Sequence, residues 1–289
     1  MQELIKILSL LLIYGVLAPA VGYLIRSRPL WQKVLFGLMC FMTIGGLLFP
    51  AEWGLTLQSV ELYRGHARGF HVYFNEAIAV ALLVTQSLRR PAHFRWLAPG
   101  MWLYLIFYLL GMATVFWAAS PNYVLMAAFK ATKMLILCTV IYNFIQEEKD
   151  LRFFLAVMAC TLCWEMLVVL FHKYGLKNYQ NKGTFSHQNS LTMYTALIAM
   201  VFLGAWLGPR FRGINLCLLG FVACGIIVES ALSRAGLAAF AVGTIGVISL
   251  SLIERVTTRR IVVLTGLTGV GLIGLGFAAD TLIKRFTEK

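Results

Sequence analysis

Charge is scarce in this chain of 289 residues: Asp, Glu, Lys and Arg together supply 13% of it, where an ordinary soluble domain carries roughly a quarter. With 60% hydrophobic residues and a mean hydropathy of +0.80, that shortage excludes a soluble globular domain. The short signatures of familiar catalytic sites are missing too. There is no Walker loop, no GxGxxG following a strand and no HExxH, so coupling to bound ATP is not written here. Cysteine is sparse, and Cys40, Cys138, Cys160, Cys163, Cys217 and Cys224 all fall in apolar stretches, where a free thiol behaves as a small hydrophobe. Cys160 and Cys163 spell CxxC, but they stand at i, i+3 of an expected helix without a second pair or flanking histidines. They read as packing residues rather than a redox or metal pair. No low-complexity linker or strong repeat divides the chain, which makes residues 1–289 a single transmembrane domain.

Long apolar windows are abundant. A helix of about 20 apolar residues crosses a hydrocarbon core of about 30 Å, and such windows predict an all-α polytopic membrane protein of about ten transmembrane helices. The expected spans are 4–25, 34–50, 71–88, 97–117, 124–145, 152–172, 188–208, 213–232, 237–254 and 261–280. The first is read as a retained helix. Its apolar run exceeds the usual signal-peptide core of about 7–15 residues, and Lys6 alone supplies a positive start. The glycine-rich run "GLTGVGLIGLGF" at 266–277 suits close helix contact. Loops after the odd-numbered spans hold thirteen Lys and Arg residues against ten on the other side, which puts the richer face in the cytoplasm and both ends outside. Ten cations on an outer face are many, and they suit the handling of something anionic there.

Three outward stretches collect chemistry. In "YRGHARGFHVYFNE", 63–76, Arg64 and Arg68 share a face if the segment is helical, and His66 and His71 lie nearby; interfacial anchoring is the alternative reading. In "NKGTFSHQNSLTMY", 181–194, Lys182 precedes Gly183, and Thr184, Ser186 and Asn189 are available to cap a helix beginning near His187. Such an N-terminus, with unpaired N–H groups and partial positive charge, seats a phosphate or a sugar hydroxyl, and His187 can accept or donate a proton. In "ESALSRAG", 229–236, Arg234 stands in a tight turn between apolar helices. A guanidinium there demands a partner, either Glu229 or a bound anion, and its rigid fork suits phosphate oxygens. Within the spans, Lys130, Lys133 and Glu165 each cost on the order of 3 kcal/mol at the bilayer centre, so pairing across neighbouring helices is expected, and an ion path through them is not excluded.

In order, "YRGHARGF", "GTFSHQNSL", "SRAG" and a closing "KRFTEK" resemble the O-antigen ligase and polymerase superfamily of bacterial inner-membrane proteins, through its GTFxHxN and SRxG patterns. The resemblance runs over nearly the whole chain. It implies a helical bundle of glycosyltransferase-C type that takes a glycan from an undecaprenyl-pyrophosphate carrier at the periplasmic face. The acceptor is lipid A core, a growing polysaccharide or a protein hydroxyl. It further implies that no metal, nucleotide or nucleic acid takes part. Carried onto these motifs, His187 and Arg234 become the candidate catalytic residues. Arg64, Arg68, Lys182, Asn189 and Arg234 become the candidates for binding pyrophosphate or sugar. Family members continue through a large periplasmic loop that supplies a further arginine and the proposed acceptor base, so a chain ending at Lys289 is expected to be the N-terminal part of a longer protein. A transporter or flippase for lipid-linked sugars, or a noncatalytic member of a polysaccharide assembly complex, also needs many spans and a basic cavity, and both stay open.

Overall fold

The computed structural model describes residues 2–44, 55–59, 69–89, 91–118, 120–178, 181–185, 187–208, 215–254, 256–258, 260–262 and 265–266. The chain enters as α1 (Gln2–Leu10), winds through a π-helical stretch, Leu11–Leu17, and continues as α2 (Ala18–Ile25). Pro19 stands in the first turn of α2, where its missing N–H and bulky ring force the preceding turns to widen. After a short turn, α3 (Pro29–Phe41) opens on another proline. β1 (Leu55–Ser59) and β2 (Gly69–Val72) form an antiparallel ribbon pairing Leu55 with Val72 and Thr56 with His71. This short ribbon accompanies an otherwise helical structure, and within the arginine-rich stretch Gly69–Val72 is extended before α4 begins at Phe74. Then follow α4 (Phe74–Arg89), α5 (Met101–Ala113), α6 (Pro121–Phe144), α7 (Glu148–Leu170) with a π-helical end at Phe171–Gly175, α8 (Gln188–Leu207), α9 (Asn215–Ala231) and α10 (Arg234–Glu254).

Among the described residues, five helices are long and apolar enough to cross a membrane: Ile5–Ile25, Pro121–Phe144, Glu148–Gly175, Gln188–Leu207 and Arg234–Glu254. The chain is a multi-pass helical membrane protein. Met101–Phe116 and Asn215–Ala231 are apolar but shorter, and the expected tenth span, 261–280, lies almost wholly outside the described residues. Outward faces confirm the solvent: Leu24, Phe107, Val242 and Ile253 are all exposed, as side chains bathed in lipid should be.

One continuous core joins α3, α4, α6, α7, α8, α9 and α10 through Phe36, Leu82, Val140, Leu162, Phe202, Ile227 and Ile248. Cys40, Cys217 and Cys224 are buried within it as free thiols. A second, small-residue contact of Ala18, Ala77 and Ala81 lets α2 and α4 approach closely. Lys133 on α6 pairs with Glu76 on α4 at 2.7 Å, and its Nζ lies over the rings of Tyr73 and Phe129. Lys133 thus pairs across neighbouring helices, with Glu76 as its partner rather than Glu165, which is engaged elsewhere.

Candidate functional site

Beyond Gly175 the chain turns back along α7. Asn181, fully buried, donates its amide to the Val169 carbonyl and accepts the Gly183 N–H at 2.9 Å. Thr184 gives Glu165 both its N–H, at 2.9 Å, and its hydroxyl, at 2.8 Å. Glu165 lies ten residues before Gly175, so the segment folds back about 15 Å at the helical rise of about 1.5 Å per residue. Irregular backbone at that depth survives only where protein groups satisfy it, and Asn181, Thr184 and Glu165 are those groups. Gly183 adopts φ +55°, and a Cβ there would collide with Glu165 Oε1 and with Val169.

His187 then begins α8 from an extended conformation and is itself the N-cap: its Nδ1 accepts the Asn189 N–H at 3.1 Å. This replaces the expected caps, since Thr184 is committed to Glu165 and Asn189 sits inside the first turn. In neutral imidazole one nitrogen accepts and the other donates. With Nδ1 accepting, Nε2 carries the proton and faces outward as a donor rather than as a base.

The second motif meets the first here. Asn189 Oδ1 accepts the hydroxyl of buried Ser233 at 2.9 Å, and Ser233 Oγ in turn accepts the Gly236 N–H at 3.2 Å, capping α10. Gly236 lies so close to Thr192 that a Cβ would overlap it. The α9–α10 turn is only Leu232 and Ser233, with Leu232 at φ +52°. Two long helices therefore start side by side, their positive ends converging, with His187, Asn189, Lys182 and Arg234 all exposed around them.

Glu229, expected as a partner of Arg234, receives Lys173 Nζ at 3.1 Å on both oxygens and the Ser230 hydroxyl at 3.1 Å. The structure thus joins His187 and Asn189 of the first motif to Ser233, the neighbour of Arg234, in the second, with Lys182 five residues before His187. Arg64, Arg68 and Ser186 lie outside the described residues. Sequence reasoning missed the structural work of Asn181 and Glu165. The Asn-x-Gly spacing of 181–183 was a readable turn signal, whereas Glu165 had no local sign of its partner. No group of three or more His, Cys, Asp or Glu suited to a metal occurs among the described residues. Comparison with protein families, curated proteins and solved structures finds no match to this chain.

Proposed function

We propose that this chain acts in glycan transfer from an undecaprenyl-pyrophosphate carrier to an acceptor hydroxyl on lipid A core, a growing polysaccharide or a protein. The setting is the outer face of a bacterial inner membrane, in a ten-span bundle of glycosyltransferase-C type like that of the O-antigen ligase and polymerase superfamily. One observation carries the reading. The Asn189–Ser233 hydrogen bond, across 44 residues, joins the GTFSHQN and SRAG motifs into one exposed basic surface at two helix N-termini.

The chemistry asks for such a surface. The acceptor oxygen bonds to the anomeric carbon, the bond from that carbon to the pyrophosphate oxygen breaks, and the departing lipid pyrophosphate takes the electron pair. Fixed cations and N–H donors aimed at that oxygen stabilise the charge as it develops. Arg234, at the first position of α10, supplies a guanidinium fork, and Lys182 adds a second cation. His187 donates from Nε2 to a pyrophosphate or sugar oxygen, and Asn189 keeps its amide N–H groups for a sugar hydroxyl. The proton of the acceptor hydroxyl leaves to a base outside this cluster.

The test is Arg234→Ala in the full-length protein in its own host, with transferred glycan and the sidedness of the lipid-linked donor both measured. Transfer should fall by about 10²-fold or more, the scale of losing one charge-stabilising donor, while donor accumulates on the outer leaflet. Normal transfer removes Arg234 from the mechanism. Donor held on the cytoplasmic leaflet replaces the transferase reading with a flippase.

A further inference from the structure

At the other end of α7 lies an open cavity of about 210 Å³, lined by the start of α3, the end of α4, the end of α6 and the Glu147–Asp150 turn that begins α7. A single water needs only about 10–15 Å³ of such space, so the cavity admits a small polar group. From Glu148 beside this cavity to Glu165, on which Thr184 of the candidate site rests, α7 runs seventeen residues, or about 26 Å at about 1.5 Å per residue. The cavity opens on the cation-rich side, which the positive-inside rule assigns to the cytoplasm.

The cavity is built rather than incidental. Its wall is stitched by Asn143, whose side chain accepts the Arg95 N–H at 3.0 Å and donates to the Arg95 carbonyl at 2.7 Å. Gln32 donates to the carbonyls of Ile25 and Arg26 and accepts Arg89 Nη1 at 2.8 Å, so the guanidinium is aimed by a fixed amide. Two carboxylates also stand in the wall: Glu147 pairs with Lys149 at 2.7 Å, and Asp150 Oδ2 accepts the Glu147 N–H at 3.2 Å. Among the described residues neither Arg89 nor Lys33 has a carboxylate partner, and His93 lines the same space. Two cations are thus left for an anion. Gln86 supplies the complementary demand. Its Nε2 is held by the Val140 carbonyl at 3.1 Å, while its Oε1 is buried without a hydrogen-bond partner. A buried acceptor in that state calls for a donor.

We infer that this cavity binds a phosphate ester carrying a hydroxyl donor, its phosphate oxygens on Arg89 and Lys33 and its hydroxyl on Gln86 Oε1. Basic pockets between membrane helices on the cytoplasmic side are suited to anionic lipid headgroups, and a soluble phosphate ester offers the same groups. The inference does not depend on the glycan-transfer reading, because it concerns the opposite face and separate residues.

The test is native mass spectrometry of the full chain in detergent, titrated with phosphatidylglycerol, phosphatidic acid and phosphatidylcholine, with glycerol phosphate as the soluble competitor. Phosphatidylglycerol should bind at least about tenfold more tightly than phosphatidylcholine, as expected when two cations meet one anionic headgroup. Lys33→Gln with Arg89→Gln should erase that preference. Gln86→Leu should weaken phosphatidylglycerol while leaving phosphatidic acid, which has no headgroup alcohol, unchanged. Displacement of lipid by glycerol phosphate identifies a soluble ligand, and its failure to compete identifies the lipid. Equal binding of all three lipids by the wild type overturns the inference and leaves a water-filled notch, and that comparison needs no variant to fold. Selectivity retained in a folded Lys33→Gln, Arg89→Gln protein overturns it equally.

Discussion

Gly183 carries a conformational load that no other residue of its turn carries. Left-handed backbone costs an ordinary residue roughly 1–2 kcal/mol, and at this position the added methyl would also strike Glu165 and Val169. Gly183→Ala should therefore lower stability by about 2 kcal/mol or more, read as a clear drop in the melting temperature of the detergent-solubilised protein. Lys182→Ala, one residue earlier and exposed, should shift stability by no more than about 0.5 kcal/mol, the range of ordinary surface substitutions. The contrast separates the two kinds of polarity in residues 181–194. Asn181 and Thr184 hold an irregular segment against α7, whereas Lys182, His187 and Asn189 are left facing outward.

At the scale of elements, the site depends on α8 and α10 starting at one level and lying close together. Ser233 sets the level by capping α10 while bonding to Asn189 on α8, and Gly236 sets the spacing by lying on Thr192. Gly236→Ala should push the helices apart and cost about 1–3 kcal/mol, the usual penalty of overpacking, again read from thermal melting. Gly15→Ala is the matched control, since a Cβ there meets nothing within 4 Å. Its melting temperature should be unchanged or raised, because replacing glycine by alanine within a helix gains roughly 0.5–1 kcal/mol. Equal losses in both variants would show that glycine content, not the α8–α10 contact, is what matters. The two π-helical stretches adjoin a different kind of break: Leu11–Leu17 precedes Pro19, and Phe171–Gly175 carries Lys173 to Glu229.

For the whole molecule, the arrangement of helices requires the two polar regions to lie on opposite membrane faces. His93 lines the cavity with Phe144 and Glu147, and from there to Lys177 the chain runs through α7, a helix long and apolar enough to cross a membrane. In a background without native cysteines, Lys177→Cys should react with an impermeant thiol reagent in intact cells. His93→Cys should react only after permeabilisation. Labelling of both from the same side would show that α7 does not carry the chain across and would place the phosphate-ester cavity and the candidate site on one face.

Hydropathy and helical period are local properties, and what they govern was readable along the chain. Membrane residence, the positions of α6, α7, α8 and α10 to within a few residues, and the three polar stretches all follow from neighbours in sequence. The ribbon at 55–72 escaped because its short strands do not register as an apolar span. Partner choice is another matter, since it spans distances along the chain that no local pattern encodes. Glu165 takes Thr184 nineteen residues on, Asn189 takes Ser233 forty-four on, and Glu229 takes Lys173 rather than serving as the expected counter-ion of Arg234. Lys133 finds Glu76 across two helices. A buried or half-buried polar group must be satisfied by whatever the packing brings within about 3 Å. Which side chains were consumed in that way became visible only once the helices were set against one another.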